Sequence, residues 1–97
     1  MITEEQKNMI IEVLKPYSPK MIGIFGSFAR GENQEDSDLD ILVDFQRTVN
    51  LLDIIGAEIE LSEILNMNVE LVTKRAISPK LIPHIERDLK NIFYAEG

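Results

Sequence analysis

Residues 26–31 read GSFARG and residues 37–43 read SDLDILV, and these two segments decide how the chain folds. The apolar run 21–25, bounded by Lys20 and Gly26, is typical of a short buried strand. Gly26 permits a tight turn at the end of that strand and leaves the backbone open to a ligand. The first segment therefore predicts a strand that ends in a turn able to receive an anion.

The residues after Gly26 have the chemistry of such a turn. Ser27 is predicted to cap a short helix that runs through Arg30, with its hydroxyl and the nearby amides directed at the anion. Arg30 adds a positive charge, which either offsets phosphate charge or forms a structural salt bridge. A Gly-Ser turn before a helix is common, so this segment alone does not specify a function.

The second segment has the period of a strand. Residues 39–45 alternate so that Leu39 and Ile41 share one face, while Asp38 and Asp40 point together to the other. Two adjacent carboxylates repel each other, so a cation commonly holds them together. Oxygen ligands without Cys or a nearby His favour Mg²⁺ or Mn²⁺ over zinc. Asp-x-Asp alone would indicate a solvated strand end, but its position after a Gly-Ser turn favours a metal site.

A third acid lies in another predicted strand, residues 68–73. Glu70 is the only charged residue of that run. An acid in such a place is either an edge residue that faces water or a functional group that faces a site. If this strand pairs beside residues 39–45, Glu70 reaches the same metal cluster.

Composition restricts the class of protein. The 97 residues include no Cys, 17 acidic and 10 basic side chains, for a net charge of -7. We expect one domain over residues 1–97, without disulfides or thiolate metal sites. No apolar run approaches a membrane span or a signal peptide, so we expect no membrane association and a cytoplasmic location. The negative charge argues against an extended nucleic-acid footprint.

The rest of the chain predicts helices around the strands. Thr3 begins a capping-box pattern, and helices are predicted over residues 4–15, 51–65 and 84–94. The apolar arc of residues 51–65 is wider than one sheet face needs, which favours core packing and leaves contact with another chain as the alternative. The predicted fold class is α+β (α/β): a small mixed sheet covered by helices.

The motifs together resemble a known superfamily. Gly26-Ser27, then Asp38-x-Asp40, then a carboxylate on a later strand is similar to the nucleotidyltransferases that include DNA polymerase beta, the kanamycin nucleotidyltransferases and the CCA-adding enzymes. The short length and the wording of residues 26–43 most resemble its smallest branch, the minimal nucleotidyltransferases or MNT domains. The third acid of that branch is commonly Asp, whereas here it is Glu70, which is one methylene longer.

The resemblance implies a palm-like core and a reaction. AMP would pass from Mg-ATP to a hydroxyl group, with release of pyrophosphate. Gly26, Ser27 and Arg30 would bind the nucleotide. Asp38 and Asp40 would carry two metal ions at the α-phosphorus, and Glu70 would complete one metal shell and could accept the proton of the acceptor. The resemblance thus gives one set of three carboxylates, Asp38, Asp40 and Glu70, both the catalytic and the metal-binding roles.

The resemblance also implies a partner. MNT proteins resemble one another in being encoded beside a helical HEPN-type protein, typically an RNase toxin, and the MNT chain would act as antitoxin by adenylylating a tyrosine of that toxin in a hetero-oligomer. One alternative is an enzyme that acts on an antibiotic or another small hydroxyl compound with a helper subunit. The other is a non-catalytic module that masks the toxin by contact. The intact carboxylate set favours catalysis over masking.

Overall fold

The first helix begins where the sequence predicts. A computed structural model describes residues 2–96, and its helix α1 spans Glu4–Leu14. Thr3 Oγ1 accepts a hydrogen bond from the Gln6 amide at 3.1 Å, and Gln6 Oε1 accepts one from the Thr3 amide at 2.9 Å. Both arms of the capping box are therefore present, so side-chain oxygens of the same turn accept hydrogen bonds from two amides at the helix start.

Four strands form one mixed sheet. The elements after α1 are β1 (Pro19–Phe25), α2 (Ser27–Arg30), β2 (Leu39–Phe45), α3 (Leu51–Leu65), β3 (Val69–Thr73), α4 (Ile82–Asp88) and β4 (Lys90–Tyr94), with 3₁₀ turns at Lys15–Tyr17 and Lys74–Ala76. The strand order is β3-β2-β1-β4, with β2 and β3 parallel and the other pairs antiparallel. The predicted α+β class is confirmed. Within residues 2–96, no helix has the length and apolarity needed to cross a membrane.

The hydrophobic core lies on one face of the sheet. In the β1–β2 register, Ile22 lies opposite Val43 and Ile24 lies opposite Ile41, and all four side chains are buried. Helices α1 and α3 complete the same core with Ile10, Leu14, Ala57, Leu61 and Leu65. Each large aliphatic side chain buried in this way stabilises the fold by about 1.5 to 3 kcal/mol, which fixes the register of β2 and with it the direction of the acids on the opposite face.

The predicted terminal helix over residues 84–94 is wrong. Helix α4 ends at Asp88, Leu89 adopts an extended backbone with φ -62° and ψ 128°, and β4 then pairs with β1. Without β4, the outer edge of β1 would leave its amides and carbonyls unpaired. Residues 92–94 are Ile, Phe and Tyr, which suit a strand, and the apolar spacing of the segment fits either period. Tertiary pairing therefore decides the outcome.

Leu89 packs against the second face of the sheet. A Cβ atom added to Gly23 would lie 2.5 Å from Leu89 Cδ1, so the missing side chain of Gly23 makes room for Leu89. Gly23 is paired with Leu42, which is buried on the same face. The link between α4 and β4 is thus seated on the centre of the sheet.

We expect Gly23→Val to destabilise the protein by about 1 to 3 kcal/mol, because the new side chain would displace Leu89. Gly56→Ala is the control: among residues 2–96, nothing lies within 4 Å of a Cβ at that helical position, so this change should stabilise the fold by about 0.5 to 1 kcal/mol. Urea denaturation measures both. Adding Leu89→Ala to Gly23→Val should cost less than the sum of the single changes, and strict additivity would contradict the assigned contact.

Candidate active site

A glycine at the turn after β1 lets the backbone lie close to a carboxylate. Gly26 joins β1 to α2 with φ 74° and ψ -153°, a conformation that residues with a Cβ rarely adopt. A Cβ at this position would also collide with Oδ2 of Asp40. The predicted anion-binding turn and the predicted metal-binding acid are therefore direct neighbours, and only glycine fits between them.

The structure corrects the role of Ser27. Gly26 occupies the N-cap position of α2, and Ser27 is the first residue of the helix rather than its cap. The reason is the backbone of Gly26, whose positive φ makes the whole change of direction in one residue. No side-chain hydrogen bond caps α2. The Ser27 hydroxyl therefore does not serve the predicted capping function, and its predicted contact with a nucleotide stays a prediction.

Parallel pairing of β2 and β3 places two acids side by side. Asp40 is the register partner of Glu70, as the sequence predicts on condition that these strands are neighbours. Asp40 is half-buried, and Glu70 is exposed at the edge of the sheet. Asp38 lies one residue before β2, is exposed, and is close enough for its charge to act on Asp40. The structure thus brings all three predicted carboxylates into one neighbourhood.

Asp40 carries the electrostatic cost of this arrangement. Burial, the charge of Glu70 and a hydrogen bond with the Glu70 side chain together raise the pKa of Asp40 from 3.8 to about 6, and burial is the largest of these causes. The charge of Asp38 acts in the same direction, and the positive charge of Arg30 opposes it. Near neutral pH Asp40 is therefore mostly ionised, and two neighbouring acids oppose its charge while one arginine favours it.

These residues suit a hard divalent cation. All three side chains supply oxygen, the ligand that Mg²⁺ and Mn²⁺ prefer, and Asp40 and Glu70 already approach closely enough to hydrogen-bond. In the described part of the chain, however, no three Asp, Glu, His or Cys side chains already converge as a formed metal site. The donor set fits a cation, but Asp38 and its neighbours would have to draw in around it.

Arg30 forms a salt bridge and also acts on the carboxylates. Its Nη1 donates to Asp88 Oδ2 at 2.7 Å, and its Nε lies 3.3 Å from Glu32 Oε1. The Asp88 side chain is only 14% exposed, whereas Arg30 is 43% exposed. The salt bridge predicted for Arg30 is therefore present, and its charge also reaches Asp40. The alternative, that Arg30 offsets phosphate charge, stays a prediction.

The sequence analysis missed Asp88. The ion pair joins residues 58 positions apart, and the predicted helix over residues 84–94 gave no reason to place Asp88 near the turn. Only the position at which α4 ends would have indicated this pair, because Asp88 is the last residue of α4 and lies next to Arg30 of α2. Asp88 ties the C-terminal part of the chain to the turn through Arg30.

The raised pKa of Asp40 makes stability depend on pH. The folded state holds the proton of Asp40 more tightly than the unfolded chain, so the stability from this proton is complete below about pH 4 and is lost as pH rises through about 6. Asp40→Asn keeps a neutral side chain throughout. Thermal denaturation in EDTA should therefore show the variant several degrees more stable than the parent at pH 7, with the difference shrinking toward pH 4.

Asp44→Asn, which removes a charge at the other end of β2, controls for net charge and should not reproduce that pH profile. An Asp40→Asn protein that is no more stable than the parent at pH 7 would contradict the assigned electrostatic cost.

Arg30 and Asp88 should move the pKa of Asp40 in opposite directions. Arg30→Gln removes a favourable positive charge and should raise the pKa of Asp40 above about 6. Asp88→Asn removes a negative charge and should leave that pKa unchanged or lower it. Carbon-13 NMR titration of the Asp40 carboxyl measures both. A rise in both variants would mean that loss of structure, rather than charge, is responsible.

Comparison with known proteins finds relatives that are named as adenylyltransferases. Thermococcus cleftensis has a relative named protein adenylyltransferase MntA, which is 36% identical over 94 residues, covering 92% of this chain and 95% of the relative. The Methanocaldococcus jannaschii protein MJ0126, whose naming as a protein adenylyltransferase is provisional, is 44% identical over 79 residues, covering 80% of this chain and 81% of its own length.

Solved structures share the fold. A crystal structure described as a toxin-antitoxin with AMP-PNP aligns with a TM-score of 0.84 at 26% identity, covering 93% of this chain and 74% of that one. Another, provisionally described as a minimal nucleotidyltransferase, aligns with a TM-score of 0.78 at 31% identity, covering 89% and 88%. The family model "Polymerase beta, Nucleotidyltransferase" matches residues 8–96. The chain therefore belongs to the polymerase beta family of nucleotidyltransferases.

Proposed function

We propose that this nucleotidyltransferase is a Mg²⁺-dependent protein adenylyltransferase of the cytoplasm that acts as an antitoxin. It transfers AMP from ATP to a tyrosine hydroxyl of a helical HEPN-type toxin. The observation that carries this proposal is the register pair of Asp40 and Glu70, placed directly beside the Gly26 turn. The relative named protein adenylyltransferase MntA and the similar toxin-antitoxin structure with AMP-PNP support the choice of nucleotide and partner.

The turn would bind the nucleotide, and the acids would act on the reacting groups. The triphosphate would lie along the turn, where Gly26 leaves the backbone open, the Ser27 hydroxyl can donate to a phosphate oxygen, and Arg30 supplies positive charge. The acceptor oxygen forms a bond to the α-phosphorus while the bond from that phosphorus to the β-bridging oxygen breaks, and pyrophosphate leaves. The proton of the acceptor hydroxyl passes to a carboxylate.

Glu70 is better placed than Asp40 to receive that proton. It is exposed at the sheet edge, where an acceptor can approach, whereas Asp40 is half-buried against the turn. Asp38, Asp40 and Glu70 would hold two Mg²⁺ ions, with Mn²⁺ as an alternative. When bound, these ions would supply charge stabilisation for the phosphate oxygens during the displacement. The extra methylene of Glu70 lets its carboxylate reach farther from an edge strand than Asp would.

Catalysis explains the site better than masking does. Placing Asp40 beside Glu70 lowers stability near neutral pH, and a module that acts by contact alone would have no use for that cost. The described part of the chain consists of one sheet and the helices around it. We therefore expect a partner to present the acceptor. A small hydroxyl compound held by a helper subunit is the alternative acceptor.

The experiment is transfer of labelled AMP. With Mg²⁺ and α-labelled ATP, the protein should label the helical protein encoded beside it, on tyrosine. Asp38→Asn with Asp40→Asn should reduce labelling by about a hundredfold or more, because the groups that manage phosphate charge are lost. Asp44→Asn, on β2 but away from the turn, should label like the parent. Mass spectrometry of the partner locates the modified residue.

The variants separate the alternatives. Labelling of a small molecule and never of the partner would favour the antibiotic-type enzyme. Full neutralisation of the toxin by the Asp38→Asn, Asp40→Asn protein would show that masking suffices, and the catalytic account of its biological role would then fail.

A further inference from the structure

Helix α3 has a second apolar stripe that faces away from the core. Its core side buries Ala57, Leu61 and Leu65. On the other side, Leu51, Leu52, Ile55 and Ile59 are exposed by 69%, 79%, 43% and 54%. These four residues, the α3 stripe, occupy one continuous arc of about 100° because residues four apart lie above one another on a helix. An exposed apolar patch of this kind is characteristic of a surface that another molecule covers.

A glycine lies in the same surface. Gly56 is in the interior of α3, where it costs about 0.5 to 1 kcal/mol relative to alanine, and no atom of the described residues lies within 4 Å of a Cβ at its position. It follows Leu52 by one turn and borders Ile59. No contact within the described residues accounts for a missing side chain here, whereas a helix packed closely against the stripe would.

The charge around the stripe has one sign. Helix α3 contains Asp53, Glu58, Glu60 and Glu63 and no Lys or Arg. Glu60 and Glu63 border the stripe on one side and Glu58 on the other, as their positions on the helix require. Beyond Ile59, Glu58 and Glu63 line a shallow cleft of about 520 Å³ between α3 and the start of β3. The occupant must therefore be apolar in the middle and positively charged at its margins.

We propose that the α3 stripe is the docking surface for an amphipathic helix of the partner protein, with an apolar face flanked by Lys or Arg. The stripe spans about two helical turns, or roughly 12 Å, which matches the three or four anchors of a helix lying along a groove. A second copy of this chain fits poorly, because two α3 helices would oppose acid to acid between molecules that each carry a net charge of -7.

The position of the stripe leaves the candidate active site open. Helix α3 begins after the end of β2, at Leu51, and returns the chain to the start of β3, next to Glu70. Leu51 and Leu52 therefore lie near the end of β2, whereas Asp40 lies near its start. A partner helix along α3 can bind without covering the carboxylates, so docking and AMP transfer use different surfaces. The proposal rests on the proposed function only for the identity of the partner.

Three α3 variants and one control test the proposal by isothermal titration of the neighbour-encoded helical protein, without ATP or Mg²⁺. Leu52→Asn with Ile59→Asn should weaken binding by about tenfold or more. Glu60→Lys with Glu63→Lys should weaken it too and reduce its dependence on salt. Gly56→Gln should raise the melting temperature by improving helix propensity and yet weaken binding. Leu81→Asn removes an apolar side chain that is 53% exposed outside α3 and should bind like the parent.

The outcomes separate docking from chemistry. Parent-like binding by all three α3 variants, or no binding by the parent, would overturn the docking proposal. Loss of binding by the α3 variants together with no AMP transfer by the parent would support the docking surface and refute the adenylyltransfer. Light scattering provides the remaining test: a parent dimer that Leu52→Asn with Ile59→Asn dissociates would make a second copy the occupant and overturn the partner assignment.

Discussion

The carboxylate of Asp40 is partly buried between the Gly26 turn and the carboxylate of Glu70. Much of the surrounding structure serves to hold it there. Gly26 has no side chain because Asp40 occupies the space. The parallel pairing of β2 with β3 brings Glu70 alongside, and the core residues on the opposite face hold that register in place. Hydrophobic packing on one face thus offsets the loss in folding free energy that the acids on the other face cause near neutral pH.

The C-terminal third of the chain supports this turn from the other side. Leu89 fits over Gly23, β4 completes the outer edge of β1, and Asp88 holds Arg30 at the end of α2. Arg30 then supplies the positive charge that opposes the repulsion at Asp40. Residues far apart in sequence therefore share one electrostatic task, and the end of α4 matters to the site because it places Asp88.

Local chemistry was enough to predict part of this structure. The capping box at Thr3, the alternation of residues 39–45 and the turn at Gly26 depend on neighbours within a few positions, and the structure contains all three. The predicted helix over residues 84–94 and the cap assigned to Ser27 fail for another reason. The unpaired edge of β1 pairs with residues 90–94, and the positive φ of Gly26 sets the start of α2. The pair of Arg30 and Asp88 has no local signal at all.

Acidic residues serve two different purposes in this molecule, and the surroundings of each group distinguish them. Around Asp40 they crowd a small, partly buried space, which raises the pKa of that residue and calls for a compact cation with several oxygen ligands. Along α3, Glu60 and Glu63 are exposed beside leucines and isoleucines that are also exposed, and water screens their charges. That arrangement suits basic side chains on a folded partner, each meeting one acid across an apolar contact. With the proposed metal site and the proposed docking surface, the same net negative charge would attract an ion at one surface and a protein at the other.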